Sequence, residues 1–184
     1  MEIIETPISG LIIIKPRIFE DSRGFFYESY NKLKYNELGI NIDFCQDNQS
    51  KSSYGVIRGL HYQLSPHSQS KLVSVIKGVV WDVAVDLRKD SPTYGQWHGI
   101  ELSESNKLQF LIPKGFAHGF SVLSEYAIFT YKCDDYYNQS LERGIMYNDP
   151  QLNIDWKIPL EKALISQKDQ LHPLFKNAEK NFMI

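Results

Sequence analysis

The sequence is poor in cysteine and in excess charge of either sign, and each shortage excludes a class of protein. Among 184 residues there are two cysteines, Cys45 and Cys133, and they lack the C-x-x-C spacing of redox and zinc motifs. We expect both to be reduced, packed thiols. The formal net charge is -2 at pH 7. A nucleic-acid or anionic-membrane binder would need a basic surface, so both classes are excluded as partners.

Long apolar runs are also missing. No stretch approaches the ~18 apolar residues of a membrane-spanning helix, and residues 1–10 contain acidic side chains without the basic-then-apolar pattern of a signal peptide. We therefore expect a cytoplasmic protein. The length suits one domain over residues 1–184.

The composition that remains is typical of strands. Aromatic residues make up 13% of the chain, and the apolar segments are short and rich in Val, Ile, Tyr and Phe. Strands are predicted at residues 10–15, 56–64, 71–77, 79–87, 96–102, 108–112, 119–123 and 127–133, with a turn and strand within 19–30 and extended structure at 44–48. A short helix is predicted at 31–38, with Asn31 as N-cap, and a few helical turns near the C-terminus. This pattern predicts an all-β fold, an antiparallel jelly-roll barrel or sandwich with a few short helices.

The strand at residues 56–64 contains the sequence Arg-Gly-Leu-His-Tyr-Gln. Strand alternation predicts that His61 and Gln63 share one face while Arg58, Leu60 and Tyr62 share the other. A lone strand histidine is more often a hydrogen-bonded core residue than a functional one. On this strand alone, both interpretations stay open.

Two motifs favour the functional interpretation. Gly55-(five residues)-His61-x-Gln63 and Pro113-x-Gly115-x-x-His118 resemble the two signatures of the cupin superfamily, whose jelly-roll barrel points ligands inward. Metal-binding cupins carry two histidines and a carboxylate in the first signature. Here Gln63 replaces the second histidine and Lys71 follows instead of a carboxylate, a set that lacks anionic ligands. We predict a pocket without metal or cofactor, although His67, outside the motif spacing, could in principle ligate.

A pocket with histidine, tyrosine and lysine is suited to proton transfer. Histidine, with a reference pKa of about 6.5, can accept a proton at neutral pH, whereas tyrosine, at about 10, can donate one. A lysine supplies the positive charge that stabilises a developing enolate. The three residue types together indicate removal of a hydrogen beside a carbonyl and its return to the other face.

Ordered segments along nearly the whole chain, from the first strand to Lys168-Asp169, resemble the dTDP-4-dehydrorhamnose 3,5-epimerase family. They are Asp21-x-Arg23-Gly24-x-Phe26-x-Glu28, Gln46-Asp47-Asn48, Arg58-Gly59-Leu60-His61-Tyr62-Gln63, Gln69-x-Lys71-Leu72-Val73, Asp82-Val83-Ala84-Val85-Asp86, Ser91-Pro92-Thr93, Ile112-Pro113-x-Gly115-Phe116-Ala117-His118-Gly119-Phe120 and Tyr131-Lys132. Any one segment is weak evidence, but their order makes the resemblance specific.

The resemblance implies a reaction and a set of catalytic roles. The substrate would be dTDP-4-dehydro-6-deoxy-D-glucose, whose C4 ketone acidifies the hydrogens at C3 and C5, and the pathway would be dTDP-rhamnose biosynthesis for cell-surface polysaccharide. By position, His61 matches the base, Asp169 the carboxylate that orients it, Tyr131 the acid on the opposite face and Lys71 the cation beside the ketone oxygen. Sequence spacing alone does not link His61 to Asp169.

The resemblance also implies substrate contacts and a homodimer with an exchanged N-terminal strand. The implied binding residues are Phe19, Arg23, Glu28, Gln46, Asp47, Asn48, Arg58, Lys71, His118, Tyr137, Glu142 and Lys168. Simpler interpretations remain for some positions. Arg23 and Glu28 could pair with each other at the surface, Asp169 could be solvated, and Tyr131 could be a packing residue with Tyr126, Tyr136 or Tyr137 in its place.

Three functions therefore stay in view. The first is the 3,5-epimerase. The second is an epimerase that inverts C3 alone, or that acts on another nucleotide-linked 4-keto sugar. The third is of another kind, a non-catalytic sugar-nucleotide binder or a metal-dependent cupin oxygenase.

Overall fold

A computed structural model describes residues 1–183, which fold mainly as β-strands. The strands are β1 (Glu2–Glu5), β2 (Ile12–Lys15), β3 (Phe19–Asp21), β4 (Gly24–Phe26), β5 (Gln46–Ser53), β6 (Val56–Gln63), β7 (Lys71–Lys77), β8 (Val79–Asp86), β9 (Trp97–Ser103), β10 (Gln109–Ile112), β11 (Phe116–Val122), β12 (Tyr126–Cys133), β13 (Glu142–Gly144) and β14 (Leu164–Ile165). Helix α1 spans Lys32–Glu37, and single 3₁₀ turns lie at Leu160–Lys162, Asp169–Leu171 and Phe175–Asn177. Among these residues, no helix has the length and apolarity needed to cross a membrane.

The strands form two large sheets and one hairpin. The first sheet has the order β1-β2-β10-β7-β12-β5, and the second has the order β13-β6-β11-β8-β9. Strands β3 and β4 pair only with each other, outside both sheets. All pairs are antiparallel except β14, which runs parallel to β6. The predicted all-β jelly roll is confirmed.

The core has one part between the sheets, another behind the second sheet and a smaller one where Tyr35 of α1 packs on the first sheet beside Leu72. Phe110, Phe129 and Phe120 belong to the cluster between the sheets. Behind the second sheet, Trp156 and Phe175 pack against the outward-facing side chains of β6 and β8. The C-terminal segment is held on the second sheet by this packing, and it therefore brings residues far along the chain next to β6.

The helical predictions had mixed outcomes. The short early helix is confirmed, because the Asn31 side chain accepts a hydrogen bond from the Lys34 backbone N–H as an N-cap. The predicted helical turns near the C-terminus are only single 3₁₀ turns. Four strands were missed: β1 is a largely exposed edge strand, β3 lies where a turn was predicted, and β13 and β14 are only three and two residues long, too short to show periodicity.

Candidate active site

A cavity of about 250 Å³ lies inside the barrel, between the two sheets. Strands β5, β6, β7, β11 and β12 all contribute to its wall. The lining residues are Asn48, Gln49, Ser50, Arg58, His61, Lys71, His118, Phe120, Phe129 and Tyr131. Six of them are predicted site residues, so strands distant in sequence bring the central group of predicted side chains together.

Arg58 lines the same cavity as His61, so the prediction that the two side chains lie on opposite faces was wrong. The pairing of β6 with β11 explains the difference: His118 lies opposite His61 and Phe120 opposite Arg58, so three steps on β6 match two on β11. Such a bulge reverses the alternation of side chains beyond it. The bulge contains Gly59, whose φ is 121° and where a Cβ would lie 2.6 Å from the Gly119 Cα; only glycine fits this close approach.

Gln63 does not face the cavity, contrary to the prediction that it points with His61 into one space. Its side chain is buried, and its Nε2 donates to the backbone oxygens of His67, at 2.6 Å, and Tyr136, at 3.2 Å. Its Oε1 accepts from the Asn138 backbone N–H at 2.7 Å. Gln63 therefore fixes the loop on which Tyr137 lies.

His61 and Asp169 form a hydrogen-bonded pair at the edge of the cavity. His61 Nε2 lies 2.8 Å from Asp169 Oδ1, and the Gly59 backbone N–H donates to Asp169 Oδ2 at 3.3 Å. Asp169 is only 3% exposed, so the alternative of a solvated carboxylate is wrong. Burial alone would raise the pKa of Asp169, but the hydrogen bond and charge of His61 and the Gly59 N–H outweigh it and lower the pKa. An ionised Asp169 can only accept, so His61 donates from Nε2 and its other ring nitrogen keeps a free lone pair.

Opposite this pair, Lys71, Asp82 and His118 form a buried polar cluster. His118 Nε2 lies 2.9 Å from Asp82 Oδ2. Burial raises the pKa of Asp82 and lowers the pKa of His118, although each partially stabilises the charge of the other. Burial also lowers the pKa of Lys71, against the opposing charges of Cys133 and Asp82. Asp82 was not among the predicted site residues, yet its place on the polar face of the alternating strand 79–87 was a signal for it.

Tyr131 lines the cavity, and the Lys71 Nζ lies 5.9 Å from its ring centre. Burial raises the pKa of the Tyr131 phenol, so the proton stays on this hydroxyl at neutral pH. The hydroxyl makes no hydrogen bond with any residue from 1 to 183 that the structure describes, which leaves it free to act on a ligand. Tyr131 is therefore available as an acid, and Tyr136 and Tyr137 lie on the loop outside the cavity lining.

A second cavity, of about 640 Å³, shares Arg58 and His61 with the first and is also lined by Lys168 and Asp169. At its edge, Lys168 pairs with Glu142, which also accepts a 2.8 Å hydrogen bond from the Tyr137 hydroxyl. The Gln46 side chain accepts from the Tyr137 backbone N–H at 3.1 Å and, as alternation predicts, lies on one face with Asn48. These predicted binding residues form a connected polar rim.

Four predicted binding residues lie away from both cavities and from their polar rim in a single chain. Asp47 faces away from Asn48 and pairs with Lys132. Phe19 and Arg23 lie on the β3–β4 hairpin, while Glu28 follows it and pairs with Lys34 and Asn31. The alternative of an Arg23–Glu28 pair is wrong, because Arg23 bonds Asp21 at 2.7 Å. Substrate contacts by these four residues stay predictions.

His172 is a further residue that the sequence did not indicate. Its ring lies edge-on to the His61 ring, with centroids 5.4 Å apart. It matches neither cupin signature, and the fold of the C-terminal segment alone brings it to this position.

Comparison with known proteins identifies the family to which this chain is similar. A family model described as dTDP-4-dehydrorhamnose 3,5-epimerase matches residues 5–177. The chain is 51% identical to a dTDP-4-dehydrorhamnose 3,5-epimerase of Shigella flexneri over 92% of this chain and 93% of that protein. The crystal structure of a dTDP-4-dehydrorhamnose 3,5-epimerase from Elizabethkingia anophelis aligns with a TM-score of 0.92 at 57% identity, covering 96% of this chain and 97% of the other. A dTDP-6-deoxy-D-glucose-3,5-epimerase of Legionella pneumophila, in complex with dTDP-4-keto-L-rhamnose, aligns with the same TM-score of 0.92 at 56% identity and covers 96% and 93%.

Proposed function

The chain belongs to the dTDP-4-dehydrorhamnose 3,5-epimerase family, and from this premise we propose how its own residues carry out the epimerisation. It is an isomerase, and the reaction is inversion of C3 and C5 in dTDP-4-dehydro-6-deoxy-D-glucose, which gives dTDP-4-dehydro-L-rhamnose for dTDP-rhamnose biosynthesis. The observation that carries the residue assignments is that His61, bonded at 2.8 Å to buried Asp169, shares one cavity with Lys71 and Tyr131.

The first step is proton removal by His61. Its Nε2–H donates to Asp169, so the other ring nitrogen takes the proton from C3 or C5 of the sugar. The electron pair of the broken C–H bond forms a double bond to C4, and the π pair of the C4 carbonyl moves onto its oxygen, which gives an enolate. Asp169 stabilises the imidazolium that His61 becomes, as the acidic member of a catalytic triad does.

The enolate oxygen then needs positive charge and hydrogen-bond donors. Lys71 supplies an ammonium group in the same cavity, and the buried pair of His118 and Asp82 lies beside it. Fixed groups in a site that excludes bulk water stabilise a developing charge better than mobile solvent does. Lys71 should therefore act mainly on the transition state and His118 on the position of the sugar.

The second step is proton return from the opposite face by Tyr131. Its phenol transfers a proton to the carbon of the enolate, which re-forms the C4 ketone with inverted configuration. The phenolate regains a proton from solvent, and the imidazolium of His61 releases one. No proton or electron is gained or lost overall, so the same groups can serve C5 and C3 in turn.

The dTDP part of the substrate would extend over the polar rim. Arg58 and Lys168 line the cavity beside His61 and provide the cationic side chains that bind diphosphate oxygens. The ring of Tyr137 is more than half exposed, so it can stack on the base. Gln46, Asn48 and Glu142 supply neutral and anionic hydrogen-bonding groups for the nucleoside and sugar.

The homodimer with an exchanged N-terminal strand is part of the proposal, and we extend the exchange to the β3–β4 hairpin, as an arm that reaches the partner's site. The hairpin pairs with neither large sheet, and Phe26 is 66% exposed, which is a large apolar side chain to leave in water. The Arg23 side chain is 88% exposed. If the hairpin crosses, Arg23 would reach the partner's cavity together with Phe19 and Glu28, and its guanidinium would add positive charge beside the diphosphate. A cytoplasmic location stays a prediction.

The test is to incubate the purified protein with dTDP-4-dehydro-6-deoxy-D-glucose in heavy water and to follow C3 and C5 by NMR. We expect deuterium at both carbons together with the L-rhamno product, and no deuterium with the His61→Asn variant. Deuterium at C3 alone would instead identify a C3 epimerase. A bound sugar nucleotide that never exchanges hydrogen with solvent would leave only the binder.

A further inference from the structure

His172 lies beside the catalytic pair, but the proposed reaction does not use it. Its ring is edge-on to the His61 ring at 5.4 Å. Its Nδ1 is buried and makes no hydrogen bond with any partner in the part of the chain that the structure describes. A buried polar atom without a partner is unfavourable, and it indicates that this nitrogen is available to a ligand.

His61, Asp169 and His172 each have one ligand atom within 4.8 Å of the others. Two imidazoles and a carboxylate form a donor set that suits zinc, and a site with three protein ligands leaves the fourth position open. We propose that these three residues bind a divalent cation of the zinc class, and that the bound ion inhibits the enzyme. The inhibitory part rests on the proposed function, whereas the binding part does not.

The surroundings of the three residues favour such a site. The Gly59 N–H that donates to the free oxygen of Asp169 is the kind of outer-shell contact that orients a metal ligand. Two cationic side chains lie near the site: Glu142 pairs with the Lys168 ammonium, whereas Arg58, which donates to Ser52, opposes cation binding. The larger cavity is lined by His61 and Asp169, so a hydrated ion can reach these two ligands from solvent.

The geometry needs only a small adjustment. With Zn–N and Zn–O distances of about 2.0–2.2 Å, ligand atoms around tetrahedral zinc lie roughly 3.3–3.6 Å apart. The 2.8 Å between His61 and Asp169 must therefore widen slightly, and His172 must move closer by about an ångström.

Inhibition follows from what the ion replaces. Zinc binds an imidazole nitrogen through its lone pair, so the His61 proton that is donated to Asp169 must move to the other ring nitrogen before Nε2 can ligate. The metal then fixes the ring and places a positive charge on the base that must accept a proton. This zinc site is not the metal site that the two cupin signatures would form from His61 and His118. The Lys71 ammonium shares a cavity with those two histidines, and its positive charge disfavours a cation there.

The binding test is calorimetric titration of the purified full-length protein with zinc chloride, after treatment with EDTA. We expect one zinc ion per chain for the wild type. His172→Phe keeps a ring against Gly144 but removes the ligand, and it should weaken binding by at least about tenfold. The control His67→Phe changes the His67–Asp135 surface pair and should bind zinc like the wild type. Absence of binding, or equal affinity in His172→Phe, would overturn the site.

The inhibition test follows epimerisation at increasing free zinc. The wild type should lose activity in the range of zinc concentration in which calorimetry detects binding and recover it when EDTA is added. His172→Phe should be active without zinc and require at least about tenfold more zinc for the same loss. Zinc bound at this site with undiminished turnover would refute the inhibitory role. Calorimetry needs no turnover, so the binding site is tested even if the protein proves not to be an epimerase.

Discussion

The Nε2 atom of His61 lies 2.8 Å from Oδ1 of Asp169, a residue 108 positions further along the chain. Asp169 reaches this position because the C-terminal segment folds back onto β6, where β14 adds in parallel beside Val56 and Ile57. The second carboxylate oxygen accepts the Gly59 N–H. The carboxylate is thus held at both oxygens, and it fixes the orientation of the imidazole.

Replacing Asp169 with Asn should reduce kcat by about 10²–10⁴-fold with little change in KM. An amide of the same shape can also donate a hydrogen bond, so it no longer selects the tautomer in which His61 donates from Nε2. Steady-state kinetics measure the effect. Asp135→Asn, which alters the surface His67 pair, is the matched control and should be silent. A wild-type kcat in Asp169→Asn would remove the carboxylate from the mechanism.

The alkaline limb of the pH profile should report Lys71. Burial lowers the pKa of Lys71 below the usual range of lysine and raises the pKa of Tyr131 above the usual range of tyrosine. These opposite shifts favour loss of the Lys71 charge before loss of the Tyr131 proton as the pH rises, and kcat should fall with the first event. In Lys71→Arg the side chain stays charged, so the fall should move to higher pH, even with a lower maximum. If the alkaline limb of the pH profile stays at the same pH in Lys71→Arg, the fall in kcat belongs to another group.

The Tyr131→Phe variant should separate exchange from inversion. His61 still removes the proton, so deuterium should enter C3 or C5 from solvent, but without a phenol on the opposite face the original configuration returns. NMR of the sugar in heavy water distinguishes the two events. Tyr126→Phe, on the same strand but packed against Lys51, should epimerise normally. Full inversion by Tyr131→Phe would show that another acid acts.

The fold could be predicted from the sequence where a strand was long enough to show the two-residue alternation of its side chains. Strand β8 alternates over eight residues, and both its existence and its type followed from that pattern. The position of Arg58 did not follow, because one bulge at Gly59 changes which face the side chain takes. A bulge depends on how β6 and β11 approach each other, and the sequence of β6 alone does not encode that approach.

Some site residues could be predicted from sequence motifs, whereas others depend on the fold. The cupin spacing indicated His61 and His118, and the residue types around them indicated proton transfer. The link to Asp169 came from family resemblance, because the fold of the C-terminal segment creates it. Gln63 was misread, since its burial at the loop contacts cannot be seen in a pattern of alternating residues.

The role of Gln63 can be tested by Gln63→Leu, which keeps the volume but removes two hydrogen bonds to the Tyr137 loop and one to the His67 backbone. The partly buried Asn138 N–H would lose its partner, which should cost about 1 kcal/mol of stability. With the Tyr137 loop loosened, KM should rise more than kcat falls. Gln69→Leu removes only one bond, to the Asp135 carbonyl, and should have a smaller effect. Thermal unfolding and kinetics together check both parts, and an unchanged KM would separate Gln63 from substrate binding.

Mixing two inactive variants tests whether Arg23 acts on the partner's cavity. Arg23→Ala homodimers lack the arginine at both sites, and His61→Asn homodimers lack the base. Neither should turn over at a useful rate. In a mixed dimer, one site combines the His61 of one chain with the Arg23 of the other, and it is complete only if the hairpin crosses to the partner.

Refolding the two variants together in equal amounts should yield about half mixed dimers, each with one complete site, and hence about a quarter of wild-type activity. If Arg23 served its own chain, no site in the mixture would be complete and activity would stay at the level of the separate variants. Light scattering must show a dimer in all samples, since a monomer would exclude exchange altogether. The exposure of Phe26 and Arg23 on a hairpin outside both sheets makes the crossed arrangement the one that we expect.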